Sequence, residues 1–312
     1  MSNAWRLSRV VFWNLVLFLL LASSHFAAFA GDHLAEIKQR GVLRWGADAE
    51  GGAPYVYPDP QKPEQLIGFE CDLAEALAAK LGVRAEMVQN QWDQLIPAVE
   101  RGNFDIVLNG LELTADNQQR IAMSRPYFVY AQQIITRRET EGLTTLESLK
   151  GKTVGVLSGT SAQKLLEKMG GAEVRIYPGN VENFRDLKAQ RIEAALLDLP
   201  IALHYAKADP ALRFSGEPFA SGYYGIGVRK QDTTLLVALN QAIEILTNDG
   251  TLERIYRTYG LWDERQEGLQ DYQPEVVVQK KSISTLREWS KYLPLLLRGA
   301  VTTVELSVLG MM

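Results

Sequence analysis

The fold class of this 312-residue chain is indicated by the stretch Gly151-Lys-Thr-Val-Gly-Val-Leu-Ser-Gly-Thr-Ser161. Its apolar centre predicts a buried strand over 151–157, and the polar residues 158–161 lead into a helix predicted over 162–169. A strand that runs directly into a helix is the building unit of a parallel sheet with helices on its faces. An α/β unit therefore begins near the middle of the chain.

The same order of strand and helix has already run once before this stretch. A helix is predicted over 70–81, because Leu73, Leu77 and Leu81 recur at four-residue spacing and Gly82 follows as a stop. Predicted strands are 41–46, 83–88, 104–108, 151–157, 173–177, 192–198 and 224–228, and predicted helices are 70–81, 93–101, 162–169, 183–191, 233–248 and 251–259. Two successive α/β units predict two lobes with a cleft between them.

The composition excludes several classes of protein. Hydrophobic residues make up 46% and charged residues 22%, an ordinary globular mixture, and a formal charge of -4 argues against a nucleic-acid partner. The single cysteine, Cys71, excludes an intramolecular disulfide and a zinc site made of cysteine pairs. With only three histidines and no recognised catalytic motif in its expected context, we expect no cofactor, no metal and no catalytic residue.

The two ends of the chain are more apolar than its middle. Residues 1–30 predict a cleaved signal peptide, with Arg6 and Arg9 before an apolar run and Ala28-Phe-Ala30 as the cleavage motif. Residues 263–290 are polar and aperiodic, which predicts a linker. Residues 291–312 are apolar enough to predict part of a transmembrane helix that stops in mid-pattern at the last residue.

Three predicted strands end in polar loops, and ligands of open α/β sheets bind outside such carboxyl ends. The loops are 109–114, 158–161 and 197–200. Ser158-Gly-Thr-Ser161 at a helix N-terminus suits an anion, although ordinary capping by Thr160 or Ser161 explains the same residues. Asp198 ends an apolar strand and needs a partner, for which a bound ammonium or a helix cap would each serve.

Two further residues near these loops each allow two interpretations. Trp92, before a predicted helix, could stack on a ligand or merely pack. Asp48 lies in an acidic, glycine-containing loop after the first strand, which is either a contact for a ligand or a solvated loop.

Eight sequence pieces in order give the chain a family resemblance. Residues 34–262 resemble the family 3 periplasmic solute-binding proteins of polar amino-acid ABC transporters. The matching pieces are Gly68-Phe-Glu-Cys-Asp-Leu73, Trp92-Asp-Gln-Leu-Ile-Pro-Ala98, Asn109-Gly-Leu-Glu-Leu-Thr114, Ser124-Arg-Pro-Tyr127, Leu149-Lys-Gly-Lys-Thr-Val-Gly155, Ser158-Gly-Thr160, Leu197-Asp-Leu-Pro200 and Asp249-Gly-Thr-Leu252. The tail from Tyr292 is similar to the start of the first membrane helix of the matching permeases, so a truncated fusion of binding protein and permease is expected.

The resemblance implies a type II, two-lobed α/β fold that closes on a hinge. Each lobe would have a mixed, mostly parallel sheet flanked by helices. Lobe 1 would comprise about 34–133 and 225–262, and lobe 2 about 138–221, with crossovers near 132–137 and 221–227. The solute-binding domain as a whole would span 31–262.

The resemblance also assigns roles in the cleft. Trp92 would be its aromatic wall, Gly110 and Thr160 would help to hold the carboxylate of the ligand, and Asp198 would hold its α-ammonium. Asp48 would be an auxiliary acidic contact. Ser158, Glu112 and Thr114 belong to the same binding motifs.

One position departs from the family. Asn117 stands three residues after Thr114, where the family usually has an arginine that grips the carboxylate of the ligand. Glu112 stands where many members have threonine. With Asp48, Glu50 and Asp198, these changes make the cleft acidic, so a cationic ligand, either a basic amino acid or an amine, is hypothesised.

The expected function is therefore that of the extracytoplasmic binding component of an amino-acid importer. Its expected partners are a small amino acid or amine, the permease subunits and their ATPase, and the inner membrane, to which the C-terminal segment would attach a periplasmic body. Two alternatives stay open. One is an enzyme like cyclohexadienyl dehydratase, with Glu112 as a general acid, and the other is the sensing domain of a membrane receptor.

Overall fold

The computed structural model describes residues 32–50, 52–269 and 272. These residues belong to the first of two compact units, Met1–Tyr272. The predicted signal peptide at 1–30, the predicted membrane segment at 291–312 and most of the predicted linker lie outside the described residues. Among the described residues, no helix has both the length and the apolar character needed to cross a membrane.

The described residues alternate helices and strands along the chain. The α-helices are α1 His33–Arg40, α2 Phe69–Leu81, α3 Leu95–Glu100, α4 Ala115–Arg120, α5 Ser161–Met169, α6 Asn180–Lys188, α7 Leu199–Tyr205, α8 Thr233–Asn248 and α9 Thr251–Thr258. The strands are β1 Val42–Ala47, β2 Tyr57–Pro58, β3 Leu66–Ile67, β4 Arg84–Gln89, β5 Ile106–Val107, β6 Ala122–Arg137, β7 Thr153–Leu157, β8 Glu173–Tyr177, β9 Ala194–Asp198 and β10 Leu212–Val228. Short 3-10 turns lie at Trp92–Gln94, Glu147–Leu149 and Glu264–Leu269.

Within the described residues, eight of these strands form one mixed sheet in the order β4-β1-β5-β10-β6-β9-β7-β8. Strands β4, β1 and β5 are parallel to one another and belong to the first lobe, and β9, β7 and β8 are parallel to one another and belong to the second. The long strands β6 and β10 run antiparallel between the two sets. The predicted two-lobed α/β architecture is confirmed.

Strands β6 and β10 connect the lobes, and most of their length was not predicted from the sequence. Strand β6, with 16 residues, was not predicted at all, and only the last five residues of the 17 in β10 were. Most of β6 is buried on both faces, so it lacks the polar alternation of a half-exposed strand. Strand β10 contains glycines and a proline that indicate turns, and the structure accommodates them at register shifts in the pairing.

Buried clusters hold the helices against the sheet, and one of them contains residues of both lobes. In the first lobe, Leu73, Leu77 and Leu81 of α2 face inward as their spacing predicted, and they pack with residues of α8 and α9. In the second lobe, Val154 and Val156 of β7 pack against Leu166 of α5. Full burial of one such side chain stabilises the fold by about 1.5–3 kcal/mol, so these clusters fix the helices against the sheet.

The predicted linker begins too early. The turn Glu264–Leu269 is packed on β6: the Gln266 side chain donates to the Val129 carbonyl at 2.8 Å and accepts from the Val129 amide at 3.0 Å. Leu269 is buried. The polar composition of the segment predicted a solvated linker, but the Gln266 side chain hydrogen-bonds to the backbone of β6. The folded body therefore extends to Leu269.

Candidate ligand-binding site

A cavity lies between the two lobes, where the carboxyl ends of β1, β5, β7 and β9 converge. It encloses about 560 Å³, part of which is open to solvent. Its lining residues are Asp48, Gly52, Tyr55, Trp92, Asn109, Gly110, Glu112, Leu157, Thr160, Ala162, Pro178, Gly179, Asn180, Leu196, Leu197, Asp198 and Ile201. None of them is a lysine, arginine or histidine, so the ionisable groups at the cavity wall are acidic apart from a tyrosine.

Asp198 is the last residue of β9, and each oxygen of its buried carboxylate accepts one hydrogen bond from the protein. The Gln132 side chain donates to Oδ1 at 2.7 Å, and the Tyr224 hydroxyl donates to Oδ2. Although Asp198 directly precedes α7, its side chain makes no capping hydrogen bond. Burial raises the pKa of Asp198 to about 6, against the opposing effect of the two hydrogen bonds. Asp198 thus stands at the N-cap position of α7 but does not cap the helix through its side chain.

Glu112 reaches across the cleft from the first lobe to the second. Its Oε2 accepts hydrogen bonds from the Ser161 amide at 2.7 Å and the Ser161 hydroxyl at 2.9 Å, at the N-terminus of α5. Its Oε1 is buried without a hydrogen-bond partner. Burial and the neighbouring Asp198 raise the pKa of Glu112 to about 8. Glu112 and Asp198 therefore form an acidic pair in the cavity.

A tyrosine network that the sequence did not reveal supports this pair. The hydroxyls of Tyr55 and Tyr224 lie 2.8 Å apart, and Tyr224 passes the chain of hydrogen bonds on to Asp198. Tyr130 stacks on Tyr224 with ring centroids 4.7 Å apart and donates to the Ser161 hydroxyl at 3.2 Å. Tyr224 and Tyr130 lie on the two lobe-connecting strands, so only the strand pairing shows that they meet.

Gly110 lines the cavity with a backbone in the left-handed region, at φ 62°. A Cβ at this position would lie 2.8 Å from the Tyr55 ring, so only glycine fits. Its amide donates at 2.8 Å to Glu70 Oε1, which also accepts from the Tyr127 hydroxyl. Burial raises the pKa of Glu70 to about 8. The sequence placed Glu70 in a family motif but gave it no role.

Trp92 and Asp48 line the same wall and are linked to each other. The Trp92 indole donates to the Ser158 carbonyl of the second lobe at 2.8 Å. The Asp48 carboxylate accepts from the Trp92 amide at 3.2 Å and from the Glu50 amide at 3.0 Å. Asp48 therefore holds the loop that carries Trp92, and Trp92 joins the lobes.

Four other candidate residues are placed less centrally. Thr160 lines the cavity, but its hydroxyl donates to the Leu157 carbonyl at 2.8 Å and caps α5. Thr114 caps α4 and does not line the cavity. The Asn117 side chain donates to the Glu112 carbonyl at 2.8 Å. Asn117 and Ser158 lie in a neighbouring depression rather than in this cavity.

Among the described residues, no group of three or more His, Cys, Asp or Glu residues is placed to hold a metal ion. Cys71 is half-buried against the cluster that contains Leu73, and burial raises the pKa of its thiol to about 12. This environment suits a packing role for Cys71.

Known proteins share both the sequence and the fold of this body. The chain is 31% identical over 253 residues to the L-cystine-binding protein TcyJ of Escherichia coli K12, covering 80% of this chain and 94% of the relative. It is 33% identical over 261 residues to the histidine-binding periplasmic protein of the same strain, covering 78% and 95%. Both relatives are named as binding proteins.

A solved structure agrees with these sequence matches. The ancestral amino acid-binding protein AncCDT-1, described as a precursor of cyclohexadienyl dehydratase, matches with a TM-score of 0.68 and 33% identity, covering 73% of this chain and 99% of that one. Residues 43–261 match a family whose description is bacterial extracellular solute-binding proteins, family 3. The chain belongs to that family, the bacterial extracellular solute-binding proteins of family 3.

Proposed function

We propose that the chain is the extracytoplasmic substrate-binding component of an amino-acid ABC importer, which captures a small amino compound between its lobes and delivers it to a permease. Asp198 carries the proposal. Its carboxylate is 6% exposed, ends a buried strand at the cavity and is oriented by Gln132 and Tyr224. A buried, oriented carboxylate in a cavity lined by no cationic side chain is a receptor for an ammonium group.

The remaining contacts fit capture by closure. The Trp92 indole and the Glu112 carboxylate both bond to the second lobe, so the cavity is complete only when the lobes meet. The long strands β6 and β10 are the covalent connections that would bend. The names of the relatives, which bind cystine and histidine, favour an amino compound as the ligand here.

Calorimetry of the full chain in detergent, against amino acids and their amines, tests the proposal. We expect at least one of these compounds to bind, and Asp198→Asn to weaken it by at least about 30-fold, the cost of losing one partner of a buried charge pair. Asp186→Asn is the matched control, because Asp186 is a buried carboxylate of the second lobe that lies outside the cavity. Equal weakening by the two variants would contradict the proposal.

An enzyme of the dehydratase type is a second candidate, for one reason. Glu112 is a buried acid with a pKa of about 8, so it can hold a proton at neutral pH as a general acid must. The relatives named above are binding proteins, which makes this candidate the weaker one. Turnover of prephenate or arogenate that Glu112→Gln abolishes would establish it.

The two ends of the chain complete the proposal. The sequence of residues 1–30 supports export, and that of 291–312 supports a membrane segment that attaches the binding body to the inner membrane. Permease subunits and an ATPase would then be its partners. Membrane fractions of cells that make the full chain should contain it, and a variant ending at residue 272 should move to the soluble periplasmic fraction.

A further inference from the structure

The donors expected to hold a ligand carboxylate are already engaged by the protein itself. The Gly110 amide donates to Glu70, and the Thr160 hydroxyl donates to a backbone carbonyl. At position 117, the asparagine side chain donates to the Glu112 carbonyl. The Gly110 amide and the Thr160 hydroxyl have thus used their only donor hydrogen within the protein, and the Asn117 side chain has used one of its two.

The N-terminus of α5 is an anion site in the cleft, and Glu112 fills it. This helix has nine residues, and its first amide together with the Ser161 hydroxyl binds Glu112 Oε2 at 2.7 and 2.9 Å. A carboxylate in this place is stabilised by the unpaired amides and the dipole of the helix. Glu112 therefore provides from the protein the carboxylate that the helix would otherwise take from a ligand.

Two acidic side chains face the cavity, whose other polar lining residues include Asn109 and Asn180. Glu112 Oε1 is buried, has no partner and belongs to a residue that is 2% exposed. Asp198 faces the same space with a second carboxylate. A ligand carboxylate brought here would have to displace Glu112 from the helix and stay beside two acidic groups away from water, which is strongly unfavourable.

The rest of the wall suits an apolar body. Leu157, Leu197 and Ile201 line the side formed by the second lobe, and Tyr55 and Trp92 line the side formed by the first. Such a wall binds hydrocarbon or an aromatic ring, while the acceptors bind N–H donors.

We propose, resting on the function proposed above, that the ligand is an organic ammonium ion without a carboxylate, an amine with an apolar body, and that Glu112 occupies the place of the missing carboxylate. The ammonium group lies between Asp198 and the unpaired oxygen of Glu112, and the proton that Glu112 holds at neutral pH is released to solvent as the cation binds. The ligand thereby supplies the partner that Glu112 Oε1 lacks.

Matched pairs of compounds that differ only by a carboxylate test this directly. The full chain in detergent is titrated by calorimetry with histidine against histamine, lysine against cadaverine, arginine against agmatine, and tyrosine against tyramine. We expect the amine of the best pair to bind at least about tenfold more tightly than its amino acid. This comparison needs no variant, so a folding defect cannot obscure it.

Variants of the cleft test the role of Glu112. The double variant E112T/N117R frees the N-terminus of α5 and adds a cation, so we expect its preference to shift by at least about tenfold towards the amino acid. Asn117→Arg alone should gain little, because Glu112 still fills the helix terminus. Glu147→Gln is the control, since Glu147 is an exposed carboxylate remote from the cavity.

The outcomes separate the two proposals. If an amino acid binds as tightly as its amine or more tightly, the inference fails while the importer function stands. If neither class of compound binds, both fail. A double variant that folds, as judged by its thermal unfolding, and still prefers the amine to the wild-type extent would also overturn the role given to Glu112.

Discussion

Gln132 and Asp198 are directly opposed across the antiparallel pair of β6 and β9, and the Gln132 amide donates to Asp198 Oδ1 at 2.7 Å. Strand β6 connects the lobes, and β9 ends at the cavity. The pairing therefore fixes the direction of the Asp198 carboxylate from a strand that both lobes share. Tyr224, on the other connecting strand, holds the second oxygen.

Removal of the Gln132 donor should make ligand binding more sensitive to acid. In Gln132→Met the pKa of Asp198 rises above its value of about 6, because a hydrogen bond to the charged form is lost. Glu112 and the phenols of Tyr55 and Tyr224 stay in place around it. We expect amine affinity to fall more at pH 6 than at pH 8, measured by calorimetry. Gln133→Met, at a buried glutamine that bonds to backbone carbonyls, should leave the pH profile unchanged.

Trp92→Phe should weaken closure of the lobes. The variant keeps an aromatic wall but loses the 2.8 Å bond to the Ser158 carbonyl, whose net value of about 0.5–1.5 kcal/mol corresponds to roughly a two- to tenfold loss of affinity. Small-angle scattering should show a larger open fraction. Trp262→Phe, which alters a ring stacked on Tyr256 away from the cavity, serves as the control. Unchanged affinity in Trp92→Phe would contradict a role for the indole in closure.

Glu70→Gln should make the stability less dependent on pH. The folded pKa of Glu70, about 8, lies above its ordinary value of 4.5, so the folded state binds the proton more tightly. The wild type must therefore lose stability as the pH rises from about 4.5 through 8, by an amount of a few kcal/mol at most. Glutamine can still accept from Gly110 and Tyr127. Urea unfolding at pH 5, 7 and 9 measures the difference, with the exposed Glu86→Gln as control.

The stability that His33 contributes should fall as the pH rises, unlike that of a histidine buried in its neutral form. The ion pair between His33 and Asp105, with 3.1 Å between Nε2 and Oδ1, raises the pKa of His33 above 6.5. The contribution is full below pH 6.5 and is lost as the pH rises through the folded pKa. Thermal unfolding of His33→Gln from pH 5 to 8 should lack this decline.

His204 provides a contrast for that measurement. Burial lowers the pKa of His204, so its contribution to stability grows as the pH rises through 6.5. His204→Gln should therefore change the pH dependence in the opposite direction to His33→Gln. A shift of the same sign in both variants would show that the contact between His33 and Asp105 does not govern the effect.

Local sequence patterns were sufficient to predict the bounds of helices and strands where these depend on residues close along the chain. The helix predicted over 233–248 has these bounds in the structure, and α2 begins one residue before its prediction. Asp198 stands at the end of its strand, as the apolar run before it indicated. The lobe boundaries within 34–262 and the roles of the site residues stay predictions.

Contacts between residues that are distant along the chain could not be predicted from the sequence, because they form only when the chain folds. Glu112 and Ser161 are 49 residues apart, and Gly110 meets Glu70 across 40. The motif positions predicted that Gly110 and Thr160 bind a ligand. In the folded chain, each donates a hydrogen bond to an acceptor within the protein instead.

The sequence by itself determined the α/β order, the membership of the family and an acidic cleft without its usual arginine. Only the tertiary structure decided which donors are still available for a ligand, because hydrogen bonding is settled by the register of β6, β9 and β10 and by the meeting of the lobes. Glu112 is identified by the sequence only as an acidic residue. It becomes the occupant of a helix N-terminus when the fold brings α5 within 2.7 Å of it.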